Sequence, residues 1–171
     1  MKEVKIYNKH IAFWGSAFSN FYPCSFSYKG LTWKSSEHCF MAEKAAYFGD
    51  FDMYEAILNA KNPKEAKKYG RMVKNFNADQ WSEVCFDRMY NAVYAKFSQN
   101  EDLKALILSK EYEGKGFVEG SPFDAIWGVK MDWRNPDIDN EENWQGQNLL
   151  GKVLNKVREE LLKNGEEIKE E

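Results

Sequence analysis

Glu37 and Lys44 are the first residues in this sequence whose types and spacing suggest chemistry; both lie in the stretch "TWKSSEHCFMAEKA" at 32–45. On a helix, seven residues bring the two side chains within about 20° of one face and about 10 Å apart along the axis. That is too far for a mutual salt bridge and suits two groups that bracket a sugar. A carboxylate beside a sugar can stabilise positive charge that develops on the ring as a bond breaks, and can transfer a proton. An amine on the same face can form a Schiff base with a ring-opened sugar. Both residues also have plain structural roles: Glu37 complements the dipole of a first helical turn, and Lys44 reaches solvent unless burial or a nearby charge lowers its pKa. His38 and Cys39 are adjacent and point about 100° apart on a helix. They are therefore expected to pack rather than to form a nucleophile pair.

Other polar residues stand where core building does not require them. Asn20 lies in the aromatic run "FSNFYP", Glu119 ends an apolar strand, and Asp124 and Trp127 are placed to share one helical face. With Glu37 they suggest a polar cleft between a β region and helices. Arg71 carries a planar guanidinium that suits phosphate; at a helix end it equally satisfies carbonyls.

The elements that must position these groups follow from patterning. Residues 3–33 read as short strands and turns, "VKIY", "IAFW" and "CSFSYKGLTW", a small β region. Ser35 or Ser36 caps a helix to about Phe48, ended by Gly49. Asp50 caps a second helix to about Ala60, and Asn62-Pro63 opens a third that ends near Gly70. Apolar residues at helical spacing predict a long helix over 78–99 and a short one over 102–108. "GKGFVEGSPFDAIWG" reads as a strand followed by a turn or short helix, and 129–146 as a long polar loop carrying Trp133 and Trp144. Asn148 caps a last helix whose core stripe is Leu150, Val153, Leu154, Val157 and Leu161.

At 171 residues the chain is expected to form one α+β, mainly helical domain over 1–163, with an acidic frayed tail at 164–171. A net charge of −3 without a dense Lys/Arg block argues against a broad duplex-binding face and leaves room for a local phosphate site. No apolar window long enough for a membrane span is present, and Met1–His10 lacks a signal-peptide core, so a cytoplasmic location is expected. Three cysteines without CxxC spacing read as reduced thiols, and no metal or cofactor is expected. No feature specifies an oligomeric state.

Six fragments in one order, "FSNFYP", "G-x-x-W-x-S-S-E-H-x-F-x-A-x-K", "YGR", "AKF", "VEGSPFDAIWG" and "GQNLLG", together resemble the NADAR or YbiA-like family from about Phe13 to Leu162. The resemblance implies a compact α+β fold, mainly helical, and hydrolysis of N-glycosidic bonds to ribose. Two substrate classes are associated with such proteins, ADP-ribose on guanine bases of nucleic acid and phosphorylated intermediates of riboflavin biosynthesis. By motif position it implies Glu37 and Lys44 as the catalytic pair, and substrate contacts at Asn20, Glu119, Asp124, Trp127 and Asn148. The implied partner is an ADP-ribose or ribose-phosphate substrate, including ADP-ribosylated nucleic acid. Val129-Lys130 depart from the acid and glycine that many relatives carry there, and the loop at 129–145 is longer than in short relatives. Trp127, Trp133 and Trp144 favour a larger ligand of the ADP-ribose type. A non-catalytic ADP-ribose reader would need neither Glu37 nor Lys44, and the presence of both favours an enzyme.

Overall fold

A computed structural model describes residues 4–170, with side chains described for 4–165. In chain order the strands and α-helices are β1 (Val4–Ile6), β2 (His10–Phe13), β3 (Phe26–Tyr28), β4 (Leu31–Trp33), α1 (Ser36–Tyr47), α2 (Phe51–Leu58), α3 (Pro63–Gly70), α4 (Ala78–Gln99), α5 (Glu101–Ile107), β5 (Gly116–Glu119) and α6 (Leu149–Glu170). Helical turns take up 52% of the chain, so the mainly helical α+β expectation holds. Packing divides it into two compact units, Met1–Ser19 with Glu101–Glu171, and Asn20–Asn100.

The N-terminal strands do not form one β region. In the first unit β1 pairs antiparallel with β2, and β2 pairs parallel with β5, giving the order β1-β2-β5. Parallel pairing needs a long crossover, which here runs through everything between Phe13 and Gly116. The second unit holds the separate β3-β4 hairpin, turned by Lys29 and Gly30, both at positive φ. Sequence alternation shows that strands exist; it is silent on which distant strand completes their ladder.

In the first unit α6 packs on β5. Leu150, Val153, Leu154, Val157 and Leu161 are all buried, as the periodicity predicts. Asn148 is expected to cap this helix, and the structure gives its side chain a different task. Its Oδ1 accepts from the Glu119 N–H at 3.0 Å and its Nδ2 donates to the Phe117 carbonyl at 3.0 Å, so the amide ties the start of α6 to β5. Its φ of +54° is left-handed, a conformation asparagine tolerates better than most residues. Only its backbone carbonyl plays the capping part, accepting from the Lys152 N–H at 3.1 Å.

The loop at 129–146 is tightly structured. Single turns at Pro136–Asp139 and Glu141–Asn143 are opened by Asn135 and Asn140 side chains. Trp133 and Trp144 pack against a buried cluster of Ala12, Val118, Val129 and Ile138, and the Trp144 indole N–H donates to the Ile138 carbonyl at 2.8 Å. These two tryptophans serve the core, which removes the argument that they mark a large ligand. Of the turn or short helix expected after Ser121-Pro122, the structure has the turn-like form: most of residues 122–130 are bends. The expected acidic tail is helical in backbone to Glu170; side chains from 166 onward and residue 171 lie outside the described residues.

In the second unit α1 is central, packing on α2, α3, α4 and β4. Asp50 caps α2 by accepting from the Met53 N–H, and Asn62 caps α3 by accepting from the Glu65 N–H, with Pro63 at the first turn. Helix α4 covers α1 through Trp81, whose ring lies 5.3 Å from that of Phe40. Its last turn grips the segment leading into β3: the Gln99 side chain bonds the Ser27 backbone in both directions, and Asn100 donates to the Ser25 carbonyl.

Gly151 lies where α6 touches β5. A Cβ there would fall 2.2 Å from the Phe117 carbonyl oxygen and 2.4 Å from the Asn148 amide nitrogen. Backbone cannot yield as a flexible side chain can, so Gly151→Ala is expected to destabilise the protein by about 2–3 kcal/mol. Urea denaturation checks this; a change below about 0.5 kcal/mol would refute so close a contact.

Candidate active site

Helix α1 is buried over nine of its 12 residues, so it is a core helix. Ser35 caps it in extended geometry, its hydroxyl accepting from the His38 N–H at 3.1 Å. The Ser36 hydroxyl donates to Asn20 Oδ1 at 2.8 Å, and the Glu37 N–H donates to the Asn20 carbonyl at 3.1 Å. Asn20, itself buried, thus fixes the first turn in which Glu37 sits. Glu37 is only 7% exposed, at the positive end of the helix dipole.

Lys44 is half-buried, with its ammonium 4.4 Å from the centre of the Phe76 ring. Burial lowers its pKa below the ordinary lysine value; Glu37 pulls it up and the Arg71 cation pushes it further down. Glu37, Lys44 and Arg71 are therefore within electrostatic reach of one another, in the same unit. A lysine shifted this way holds more free amine near neutral pH, the form that attacks a carbonyl. Between Glu37 and Lys44 on the helix, Met41 faces α3: a Cβ on Gly70 would lie 2.0 Å from its sulfur. The missing side chain in "YGR" lets α3 close on α1 and delivers Arg71, which is exposed, beside Lys44.

His38 and Cys39 are structural, as their spacing suggests. The His38 Nε2 meets the Ala60 carbonyl at 3.1 Å and its Nδ1 meets the Ser35 hydroxyl at 2.6 Å. A carbonyl only accepts, so the proton is assigned to Nε2, and Ser35 donates to Nδ1. Burial keeps this ring below its ordinary pKa and neutral. Cys39 is fully buried, and burial drives its thiol far up, away from the reactive thiolate.

The remaining candidates lie in the first unit. Asp124 and Trp127 share a bend instead of a helical face: Asp124 Oδ1 accepts from the Ile126 and Trp127 N–H groups, both at 2.9 Å. Trp127 is half-exposed. Glu119 ends β5, with its N–H held by Asn148 and its carbonyl accepting from the Val129 N–H at 3.1 Å. Gly128 faces it so closely that a Cβ would fall 3.0 Å from the Glu119 carbonyl oxygen. Glu37, Lys44, Asn20 and Arg71 thus belong to one unit, and Glu119, Asp124, Trp127 and Asn148 to the other.

Three residues of the second unit escape a reading by sequence. Phe76 covers the Lys44 amine, and only its place in the polar run "KNFNADQ" hints at a ring left outside the core. Glu43, the residue before Lys44, is buried and held by Arg88 at 2.8 Å and Lys29 at 3.3 Å. Lys96 is 0% exposed, over the rings of Tyr22 and Phe97, and burial brings it down to about 8. The fragment "AKF" contains it, and its apolar flanks were the available signal.

Comparison with known proteins follows the same residues. The NADAR domain family matches residues 9–162. Protein irg-1 of Caenorhabditis elegans is 40% identical over 161 residues, covering 84% of this chain and 74% of its own. The protein named N-glycosidase R617 of Acanthamoeba polyphaga mimivirus is 38% identical over 148 residues, covering 84% and 86%. The solution NMR structure of the Escherichia coli protein YbiA superposes with a TM-score of 0.74 at 29% identity, over 95% of this chain and 90% of that one.

The electrostatics around Lys44 make a prediction independent of any substrate. Reductive ¹³C-methylation and NMR titration are expected to give Lys44 a midpoint below that of the exposed lysines. Arg71→Gln removes a cation that lowers it and moves the midpoint upward. An unshifted midpoint in the unaltered protein would remove the case for an activated amine.

Proposed function

Because this chain belongs to the NADAR domain family, we propose that it removes ADP-ribose from guanine bases of nucleic acid, using Glu37 and Lys44. At the coarser level it is a hydrolase acting on N-glycosyl bonds. The observation that carries the finer reading is the half-buried Lys44 amine, lowered in pKa by burial and Arg71, on the same helix as the buried Glu37. A solvated lysine or a plain dipole-complementing glutamate requires neither feature.

The chemistry follows from the groups. Breaking C1–N develops positive charge at C1 and the ring oxygen, which the Glu37 carboxylate stabilises. With the sugar ring open as the C1=N imine of the base, the neutral Lys44 amine adds to C1 across that double bond and gives up a proton to the Glu37 carboxylate; Glu37 returns the proton to the base nitrogen as the C1–N bond to the base breaks and the C1=Nζ imine forms. Water adds to the resulting C1 imine and cleaves C1–Nζ, returning the amine and releasing free ADP-ribose. One water is consumed and no oxidant is required. Asn20 holds the turn that positions Glu37 and reaches toward a ribose hydroxyl. Arg71 is assigned to a substrate phosphate, for which its exposed guanidinium is suited. In the first unit, Trp127 is assigned to stacking on a base and Asp124 to ribose hydroxyls. Glu119 and Asn148 are kept as substrate-side residues, with Asn148 acting through the Glu119 backbone that it holds.

An ADP-ribosylated guanine oligonucleotide and, separately, phosphorylated riboflavin intermediates are the substrates to compare, following release of ADP-ribose or ribose phosphate. Lys44→Ala and Glu37→Gln are each expected to lower kcat about 10²-fold or more. Borohydride during turnover should leave a sugar adduct on Lys44 by mass spectrometry. Full activity in Lys44→Ala sinks the covalent route, and turnover of the riboflavin intermediates alone overturns the choice of substrate. Tight ADP-ribose binding with no hydrolysis would favour a reader.

A further inference from the structure

A strongly basic face stands beside this site, and of its cations the proposed reaction at C1 uses Arg71 alone. Residues 61–76 carry Lys61, Lys64, Lys67, Lys68, Arg71 and Lys74 against one carboxylate, Glu65, a net of +5 in a chain of net −3. The charge is concentrated on α3 and the turn after it. Every one of these cations except half-buried Lys67 is exposed, and among the described residues none of the six forms an ion pair. Two carboxylates touch this stretch through its backbone: Glu65 Oε1 accepts from the Lys61 N–H at 3.3 Å, closing the start of α3, and Asp50 Oδ2 accepts from the Lys74 N–H at 2.9 Å. Asn62, Lys64, Glu65, Lys68, Tyr69 and Arg71 line a shallow cavity of about 360 Å³.

Aromatic faces are interleaved with these charges. Phe21 is 40% exposed and lies 5.7 Å below the Lys67 ammonium; Phe76 is 47% exposed and lies beneath Lys44. A folded chain buries such rings unless something else covers them, and like-charged lysines repel one another when nothing does. A partner that brings regularly spaced negative charge together with flat apolar faces answers both. Single-stranded nucleic acid has that chemistry: phosphates pair with Lys and Arg, and unpaired bases stack on Phe and Tyr. A duplex offers the phosphates and hides the base faces; an anionic membrane offers charge without stacking partners.

We propose that α3 and its flanking aromatics form a docking surface for single-stranded nucleic acid, holding the strand around the nucleotide that Glu37 and Lys44 act on. This rests on the ADP-ribosyl-guanine reading for its purpose, while the binding itself can be measured without turnover. The surface selects a polynucleotide over the same lesion on a mononucleotide, because the flanking phosphates and bases make contacts that the smaller molecule lacks.

Fluorescence anisotropy with a labelled, unmodified 12-nucleotide single strand is the test. Binding is expected to weaken with salt at a log–log slope of about −3, as for four phosphate contacts from Lys64, Lys68, Arg71 and Lys74. The double variant Lys64→Glu, Lys68→Glu should weaken it about tenfold or more, and Phe21→Ala about fivefold or more. The charge variant should hydrolyse ADP-ribosylated guanosine monophosphate at the unaltered rate and lose its preference for the oligonucleotide. Equal binding by the double variant, tighter binding of duplex than of single strand, or a preference for phosphatidylserine vesicles would each overturn the proposal. Binding as expected without release of ADP-ribose would leave the surface standing and sink the substrate reading instead.

Discussion

The burial of α1 is the constraint on which the second unit depends. A helix with nine of its 12 residues buried cannot leave polar groups to chance, because each unsatisfied one would cost on the order of 1–3 kcal/mol. Ser35 and His38 satisfy each other and the Ala60 carbonyl, Ser36 is bonded to Asn20, and Glu43 is held by Arg88 and Lys29. The same burial acts on Lys44. An amine placed on this helix loses part of its hydration, and its pKa falls whether or not any reaction is intended. The lowered proton affinity of this amine therefore arises from packing that the fold requires in any case. Helix α3 adds the second lowering influence, Arg71, through an approach that Gly70 permits.

Much of this was legible in the sequence because the relevant signals are local. Caps at Ser35, Asp50 and Asn62, the stop at Gly49, the proline at the start of α3 and the stripe of α6 all depend on residues within one or two turns. Periodicity and capping chemistry report such features directly. The seven-residue spacing of Glu37 and Lys44 belongs to the same class. What stayed hidden depends on pairing between distant segments. The parallel ladder of β2 with β5, the use of Asn148 to hold β5, and the packing of Trp133 and Trp144 on Val118 and Ile138 carry no local signature. Tryptophans in a polar stretch look available for a ligand until the turns that fold them inward are seen. Phe76 presents the opposite case, a ring in polar surroundings that does remain exposed.

Net charge misled for a related reason. A total of −3 averages an acidic remainder against a concentrated +5 on and around α3, and the cations are spaced at one to three residues rather than in an unbroken block. Helical geometry and the turn that follows gather them onto one part of the surface. Potential at a surface follows local density and not the total, with a reach of about 10 Å at moderate salt. The sum over the chain is therefore a poor guide to what α3 attracts.

The two acids of α1 are buried in different company. Glu37 and Glu43 are both buried, on the same helix, six residues apart. Glu43 is clamped in two ion pairs, one to an Arg from α4 and one to a Lys from the β3-β4 turn, so its charge is answered by protein. Such a group welds elements together. Glu37 sits where the helix dipole favours its anion and where its field raises the pKa of Lys44 against the opposing effects of burial and Arg71. Its charge thus helps set the proton affinity of a second group two turns away. A carboxylate coupled to an amine at that distance can trade stabilisation with it as protons move. Burial alone does not separate the two acids; Glu43 joins three elements through its ion pairs, and Glu37 acts on the proton affinity of Lys44.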